Sequence, residues 1–495
     1  MDPSPTPTEN RMSPRRLTKL AVLVASVLTM SRAQAQSPTT KRAREVVAVI
    51  NAATPAAIRA FVDSAFDDQM RGMPMRAHID FFMNQREQSG ALEWVEVQDE
   101  KPGETVALLK RKLTGELTAI LVRTNPAAPY RIGGIGQRPP RPKTAQAAPR
   151  ITTDAELTAA LGDFVNTLAK ADLFSGTVFL AKDGRRLYGM AFGEANKDFG
   201  VPNALDTKFN LGSMNKMFTA VTIAQLVEQG KLSYEDPLSK FVDFPSADAA
   251  KKIRIKHLLT HTSGLGSYFN AEFERTSRAK YRTVDEMLTL AKGETLAFEP
   301  GTRWSYSNTG MLVLGKVIEV VTKQDYFTYV REHLYKPAGM MSTDAYQLDE
   351  VNKNLAVGYQ REFADDGTKR YKNNIFMHVI RGGPAGGGYS TAEDLVRFAE
   401  SLKSGKLVSA ATYELLTTPK PDVSSPDYGY GFGVNSQTGI VGHSGGFPGI
   451  SSNLDIFKGS GYVAVVRSNY GGASQPVVEK IRTLVKARTA GTATQ

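Results

Sequence analysis

Cysteine is absent from this 495-residue chain. That excludes disulfides, thiolate metal sites and lipid attachment through an N-terminal cysteine. Long apolar runs are missing too. The one notable run, Leu20 to about Met30, is too short to span a bilayer, so a polytopic membrane protein is excluded. No basic run is interleaved with aromatics, and the formal net charge of +11 therefore reads as a solvated surface rather than a nucleic-acid site. Residues 1–35 hold five basic residues against two acidic ones, which leaves +8 on the remainder. What is present, 41% hydrophobic and 22% charged residues, suffices for a substantial core and argues against disorder. The length suggests two to three domains.

Residues 1–35 read as a secretory signal peptide. Arg15, Arg16 and Lys19 form the positive region, the Leu20–Met30 stretch the apolar one, and Ala33-Gln34-Ala35 a small-x-small cleavage site. Met12 is an alternative start, the Arg15-Arg16 pair raises a twin-arginine route, and a retained anchor is the competing reading. The signal implies a periplasmic or secreted protein with no stable membrane span after cleavage.

Beyond it, Thr54-Pro55 is a helix cap followed by proline at the first helical position. A second helical stretch is expected near Met75–Gln88. Short strands follow at Leu92–Val97, Thr105–Leu109, Leu117–Arg123 and Tyr130–Ile132, separated by Pro102-Gly103 and Gly115. Together they predict a small α+β accessory domain over 40–136. Gly133–Gly136 leads into prolines rather than a helix, so it is no nucleotide-binding loop. Residues 137–150 read as a proline-rich basic linker.

From 151 to about 490 one larger domain is expected. A helix at 154–171 precedes strands Gly176–Ala181 and Arg186–Ala191, joined by a turn at Asp183-Gly184. Strands Ser452–Phe457 and Tyr462–Ser468 and a helix at 475–488 mirror them at the far end. The predicted class is α+β: an antiparallel sheet closed by both ends of the domain, flanked by helices, with a large helical insert.

Three segments carry chemistry. In Ser213-Met214-Asn215-Lys216, apolar Met217, Phe218, Val221, Leu226 and Val227 describe a helix ending at Gly230, with Ser213 at its start and Lys216 one turn on. A desolvated lysine can take the proton of a serine hydroxyl, and a helix N-terminus can stabilise an oxyanion. The tetrad alone is weak, since chance supplies about two in a chain of this length, and Ser277-Arg278-Ala279-Lys280 is a rival copy. Tyr306-Ser307-Asn308 follows a Pro300-Gly301 turn and opens a helix through Met311, Leu314 and Val317. A tyrosine there can share a proton with Ser213 and Lys216, and Asn308 can orient lysine or substrate. His443-Ser444-Gly445-Gly446 closes a strand, where glycines admit a close backbone approach for docking substrate.

In this order and context the segments resemble the serine β-lactamase and penicillin-binding-protein superfamily. The spacings of 93 and 137 residues, with His257–Leu265 and Pro384–Thr391 between, are similar to its class C, D,D-peptidase and carboxyl-esterase branch. The resemblance covers about 152–488 and implies a serine hydrolase acting through an acyl-enzyme on a small acyl or peptide substrate. It implies Ser213 as nucleophile, Lys216 as its proton acceptor, Tyr306 as general base and acid, and Asn308 as a positioning group. His443 takes the third motif position, and Gly445 and Gly446 bind substrate, the N–H groups of Ser213 and Gly446 forming the oxyanion hole. Neither cofactor nor metal is implied, and the His257/His261 pair, lacking a third ligand, reads as structural.

The sequence departs from class C enzymes at His443, where they carry lysine. A histidine with an ordinary pKa is only partly charged at neutral pH. Family members with histidine at this place look like D,D-peptidases, D-aminopeptidases and carboxyl esterases, so the resemblance implies weak or absent β-lactam turnover and better activity on esters or D-amino-acid amides. A β-lactamase or D,D-carboxypeptidase and a non-catalytic envelope-binding protein are the alternatives. Oligomeric state is open.

Overall fold

The computed structural model describes Met1 and residues 36–143 and 150–490. Apart from Met1, the signal read at 1–35 lies outside the described residues, as do positions 144–149 of the linker. The chain divides into two compact units, one formed by residues up to Arg86 and Ala91–Thr144, the other by Glu87–Gly90 and the chain from Ala145 onward.

The first unit places helices α1 (Pro38–Ala52), α2 (Pro55–Ala65) and α3 (Met75–Ser89) beside an antiparallel meander. Its strands are β1 (Leu92–Lys101), β2 (Glu104–Arg111), β3 (Leu117–Thr124) and β4 (Ile132–Arg138), in that order. Ser37 and Thr54 cap α1 and α2, each followed by proline. The last strand corrects the sequence expectation: it starts at Ile132, runs through Gly133–Gly136 and ends inside the expected linker. The reason is the backbone. Gly134, Ile135 and Gly136 pair with Arg123, Val122 and Leu121, and main-chain ladder bonds need no side chains.

The second unit is a three-layer α+β fold. Its six-stranded antiparallel sheet has the order β7-β8-β9-β10-β5-β6, built from β5 (Gly176–Lys182), β6 (Arg185–Phe192), β7 (Gly433–Asn435), β8 (Ile440–Phe447), β9 (Ile450–Phe457) and β10 (Tyr462–Ser468). The first and last segments of the unit thus share one sheet, with β5 against β10. The β5–β6 turn has both Asp183 and Gly184 at positive φ, 50° and 74°, as a two-residue hairpin requires. Helices α4 (Asp154–Lys170) and α8 (Ser474–Ala490) pack together on one face. The helical insert, including α5 (Asn215–Glu228), α6 (Asn308–Thr322) and α7 (Ala392–Lys403), supplies the other. Every residue of β9 and β10 is buried.

Helix α5 departs from the apolar-face expectation. All residues from Asn215 to Leu226 are buried, so the helix is central rather than amphipathic. Three of its polar residues bond to one loop. Asn215 Nδ2 donates to Gly383 O at 2.7 Å, Thr219 Oγ1 to Pro384 O at 2.8 Å, and Lys216 Nζ to Ala385 O.

Arg467 on β10 is fully buried, and its recorded hydrogen bonds all go to neutral oxygens: Ser452 Oγ at 3.1 Å, Ser390 O at 3.3 Å and Phe209 O. Burial lowers its pKa to about 9. It ties the sheet to the two short segments that lead into Ser213 and close the Gly383–Ser390 loop. Arg467→Met would strand those buried acceptors, and urea unfolding of this unit should show a loss of about 3 kcal/mol or more. A loss under about 1 kcal/mol would mean that Arg467 is not the tie.

Candidate active site

The nucleophile turn is set by two glycines. Gly212 sits at φ 52°, a conformation glycine adopts without penalty, and turns the chain into a 3-10 turn at Gly212–Met214 that runs on into α5. A Cβ on Gly212 would lie 3.0 Å from Gly446 N, and one on Gly445 would lie 2.0 Å from Leu211 O. Any side chain at Gly445 would push β8 off the turn. Ser213 and Gly446 line the same cleft.

Lys216 is completely buried. Its ammonium nitrogen lies 3.1 Å from Ser213 Oγ, 2.9 Å from Asn308 Oδ1 and against Ala385 O. Burial without a carboxylate among these partners pulls its pKa down to about 7. Near neutrality much of it is therefore an amine, donating to Asn308 and Ala385 while its lone pair faces Ser213 Oγ. Asn308 is held by its own Nδ2 donating to Ser267 Oγ at 3.0 Å, and it opens α6 behind the Ser307 cap.

Tyr306 is hydrogen-bonded to Ser213, and burial raises its pKa to about 12. Its ring lies 4.9 Å from Lys216 Nζ. The phenol is thus neutral in the resting site, and the group able to accept the serine proton is the lysine. His261, read from sequence as structural, is part of this wall. It is buried at φ 61°, its Nδ1 accepts the Ser307 N–H at 3.1 Å, and its ring packs 4.4 Å from Tyr306 and 4.8 Å from Tyr428.

His443 stands one ring further out, 6.4 Å from Tyr306, and is not among the residues lining the cleft. Its Nδ1 lies 2.5 Å from Ser444 O, a carbonyl that only accepts, so Nδ1 carries the proton. Its Nε2, 2.9 Å from Tyr428 Oη, then accepts the phenol proton. Burial, followed by the Lys216 charge, lowers its pKa to about 4. This corrects the expectation of partial charge: His443 is neutral, with both nitrogens engaged by the protein. Sequence reading gave no role to Tyr428, although it stands in the glycine-spaced run Tyr428-Gly429-Tyr430-Gly431.

The structure thus brings Ser213, Lys216, Tyr306 and Asn308 into mutual contact, sets Gly445 and Gly446 against them, and leaves His443 adjacent. The rival serine is elsewhere: Ser277 Oγ caps its own short turn by accepting from Ala279 N. The cleft measures about 280 Å³ and is walled by aromatic and aliphatic groups such as Phe269, Tyr346, Tyr389 and Phe447. None of its lining residues is Asp, Glu, Lys or Arg.

A profile of the Beta-lactamase family matches residues 162–488, about two thirds of the chain. The chain belongs to the β-lactamase family. It is a serine hydrolase of the kind that includes penicillin-binding proteins, amidases, esterases and peptidases. Among curated family relatives, a putative penicillin-binding protein of Bacillus subtilis is 32% identical over 59% of this chain and 70% of its own length. A penicillin-binding protein of Bacillus halodurans is structurally similar, with TM-score 0.59 and 30% identity over 65% of this chain and 98% of its own. A D-stereospecific amidohydrolase of Streptomyces gives TM-score 0.54 and 26% identity over 66% and 98%.

With burial lowering the Lys216 pKa to about 7, a role for this amine as the acceptor of the Ser213 proton predicts that kcat/KM on an acyl substrate rises as pH increases through that value. Asn308→Asp sets a carboxylate against the ammonium, favours its charged form, and should move this limb up by roughly 1–3 pH units. A pH–rate profile with the limb unmoved or lowered would contradict the assignment.

Proposed function

We propose that this enzyme acylates Ser213 with esters or amides whose acyl part carries no charge, and then releases the acid to water. In this reading neutral Lys216 takes the Ser213 proton as Oγ attacks the carbonyl. The backbone N–H groups of Ser213 and Gly446 hold the oxyanion. Tyr306, hydrogen-bonded to Ser213, gives its phenol proton to the leaving group and regains one from protonated Lys216, and water then attacks the acyl-enzyme by the same groups in reverse to free the acid. Asn308 keeps the lysine aimed at the serine.

The observation that carries the substrate class is the cleft wall, which holds no charged side chain. A β-lactam or a peptide C-terminus brings a carboxylate, and the motif position that would meet it holds a neutral histidine whose Nε2 is taken by Tyr428. Likeness to the Streptomyces amidohydrolase supports a second reading, D-amino-acid amides. A free substrate ammonium, however, would find no carboxylate in the wall. The leader at 1–35 supports export to the periplasm or outside the cell as part of this proposal.

A fluorophosphonate probe followed by peptide mapping should mark Ser213, with no adduct in Ser213→Ala. In parallel, kcat/KM for an uncharged chromogenic ester should exceed that for a chromogenic cephalosporin by roughly 30- to 150-fold, taking about 2–3 kcal/mol as the cost of an unpaired carboxylate. Cephalosporin turnover matching the ester, or an adduct on Ser277, would overturn the reading.

A further inference from the structure

A second chamber of about 690 Å³ adjoins the catalytic cleft, and Leu348, His378, Ile380 and Tyr389 line both. Leu355, Ala356, Val357, Ile375 and Phe376 give it an apolar stretch, and its two acidic side chains are each in an ion pair, Glu274 with Arg278 at 3.3 Å and Asp349 with Arg282 at 2.5 Å. Ile375 and Phe376 are 47% and 85% exposed, an aromatic and an aliphatic side chain left in solvent at the chamber's edge. The opposite wall is the rival tetrad segment: Ser277, Arg278 and Ala279 line it. Arg278 fixes that wall by donating Nη1 to Thr276 O at 2.7 Å and Nε to Met377 O at 3.2 Å. The segment that resembled a catalytic motif is a structural wall.

At the junction, His378 Nδ1 lies 3.2 Å from Val379 O, so Nδ1 carries the proton and Nε2 is left as an acceptor. Burial lowers the pKa of this histidine. The junction is thus uncharged like the cleft.

The side of the substrate follows from which walls are shared. Tyr306, Asn308 and Phe269 border the catalytic cleft and not the chamber, whereas Tyr389 and His378 border both. A leaving group protonated by Tyr306 stays on the first side, so the chamber lies on the acyl side.

We propose that this chamber is an acyl-chain subsite, which takes the distal part of a medium- or long-chain aliphatic acyl group whose carbonyl is at Ser213. The proposal rests on the acyl-transfer reading above and adds the length and apolarity of the acyl group. An unbranched chain passes from the aromatic cleft between Leu348 and His378 and ends against Ile375 and Phe376, covering them from solvent. Each methylene buried there favours binding by roughly threefold to fourfold.

The test uses p-nitrophenyl esters from acetate to dodecanoate and the exposed chamber-wall variant Ala279→Trp, whose indole would fill the space. In the unaltered enzyme kcat/KM should climb at least tenfold between butanoate and decanoate. In Ala279→Trp the decanoate-to-butanoate ratio should fall by tenfold or more. Binding of N-methyldecanamide and N-methylbutanamide to Ser213→Ala, measured by titration calorimetry, reads the chamber without any acylation. The longer amide should bind at least tenfold tighter, and Ala279→Trp on that background should erase the difference. Chain-length preference in binding with no Ser213-dependent turnover would sink the acyl-transfer reading and leave the subsite standing. Turnover with the same kcat/KM for butanoate and decanoate, or an unchanged ratio in Ala279→Trp, would overturn the subsite.

Discussion

A lysine ammonium buried with only neutral oxygens around it is the constraint on which the site depends. Desolvation disfavours the charged form, and Ser213 Oγ, Asn308 Oδ1 and Ala385 O offer dipoles instead of a compensating charge. The outcome is a base poised near neutrality. Much of the surrounding architecture serves this burial. Helix α5 is submerged on all sides, and the Gly383–Ala385 loop accepts its polar groups. Arg467, a second buried cation, anchors that loop and the nucleophile strand to the sheet.

The neutral histidine belongs to the same logic. A cation at position 443 would stand close to Lys216 and depress its pKa further, since like charges disfavour one another. Tyr428 and the Ser444 carbonyl instead fix His443 as one neutral tautomer. Lys216 then faces Ser213 beside a cleft whose lining holds no Asp, Glu, Lys or Arg. The lowered pKa of Lys216 and the proposed preference for uncharged acyl groups would share one physical origin, a site with few compensating charges.

Much of this was legible in the sequence, because local rules wrote it. The Asp183-Gly184 turn, the Thr54-Pro55 cap and the helix that opens after Tyr306 are all contained within a few residues. The pairing of both ends of the domain into one sheet followed from matching strand patterns. What stayed hidden is long-range. The Ala385 carbonyl meets Lys216 across 169 residues, and nothing in the tetrad announces it. Helix α5 read from its apolar residues as having one buried face, yet Asn215 and Thr219 are buried too and find their partners 168 and 165 residues away. The charge state of His443 depends on Tyr428, whose hydroxyl reaches it only after the intervening chain folds back. His261 read as structural from the want of a third metal ligand, and what the sequence left hidden is its partners, the Ser307 N–H and the Tyr306 ring. The glycine run at 133–136 carries no side-chain pattern, and pairing with β3 made it a strand.

The most direct measurement is the titration of Lys216 itself. Carbon-13 NMR of enzyme labelled at lysine Cε, with the Lys216 signal assigned by its loss in Lys216→Met, reports the protonation state without reference to any substrate. The account predicts a midpoint near 7, well separated from the exposed lysines near ~10.4. A Lys216 midpoint among those of the surface lysines would contradict it, because a permanently charged lysine cannot take the proton of Ser213.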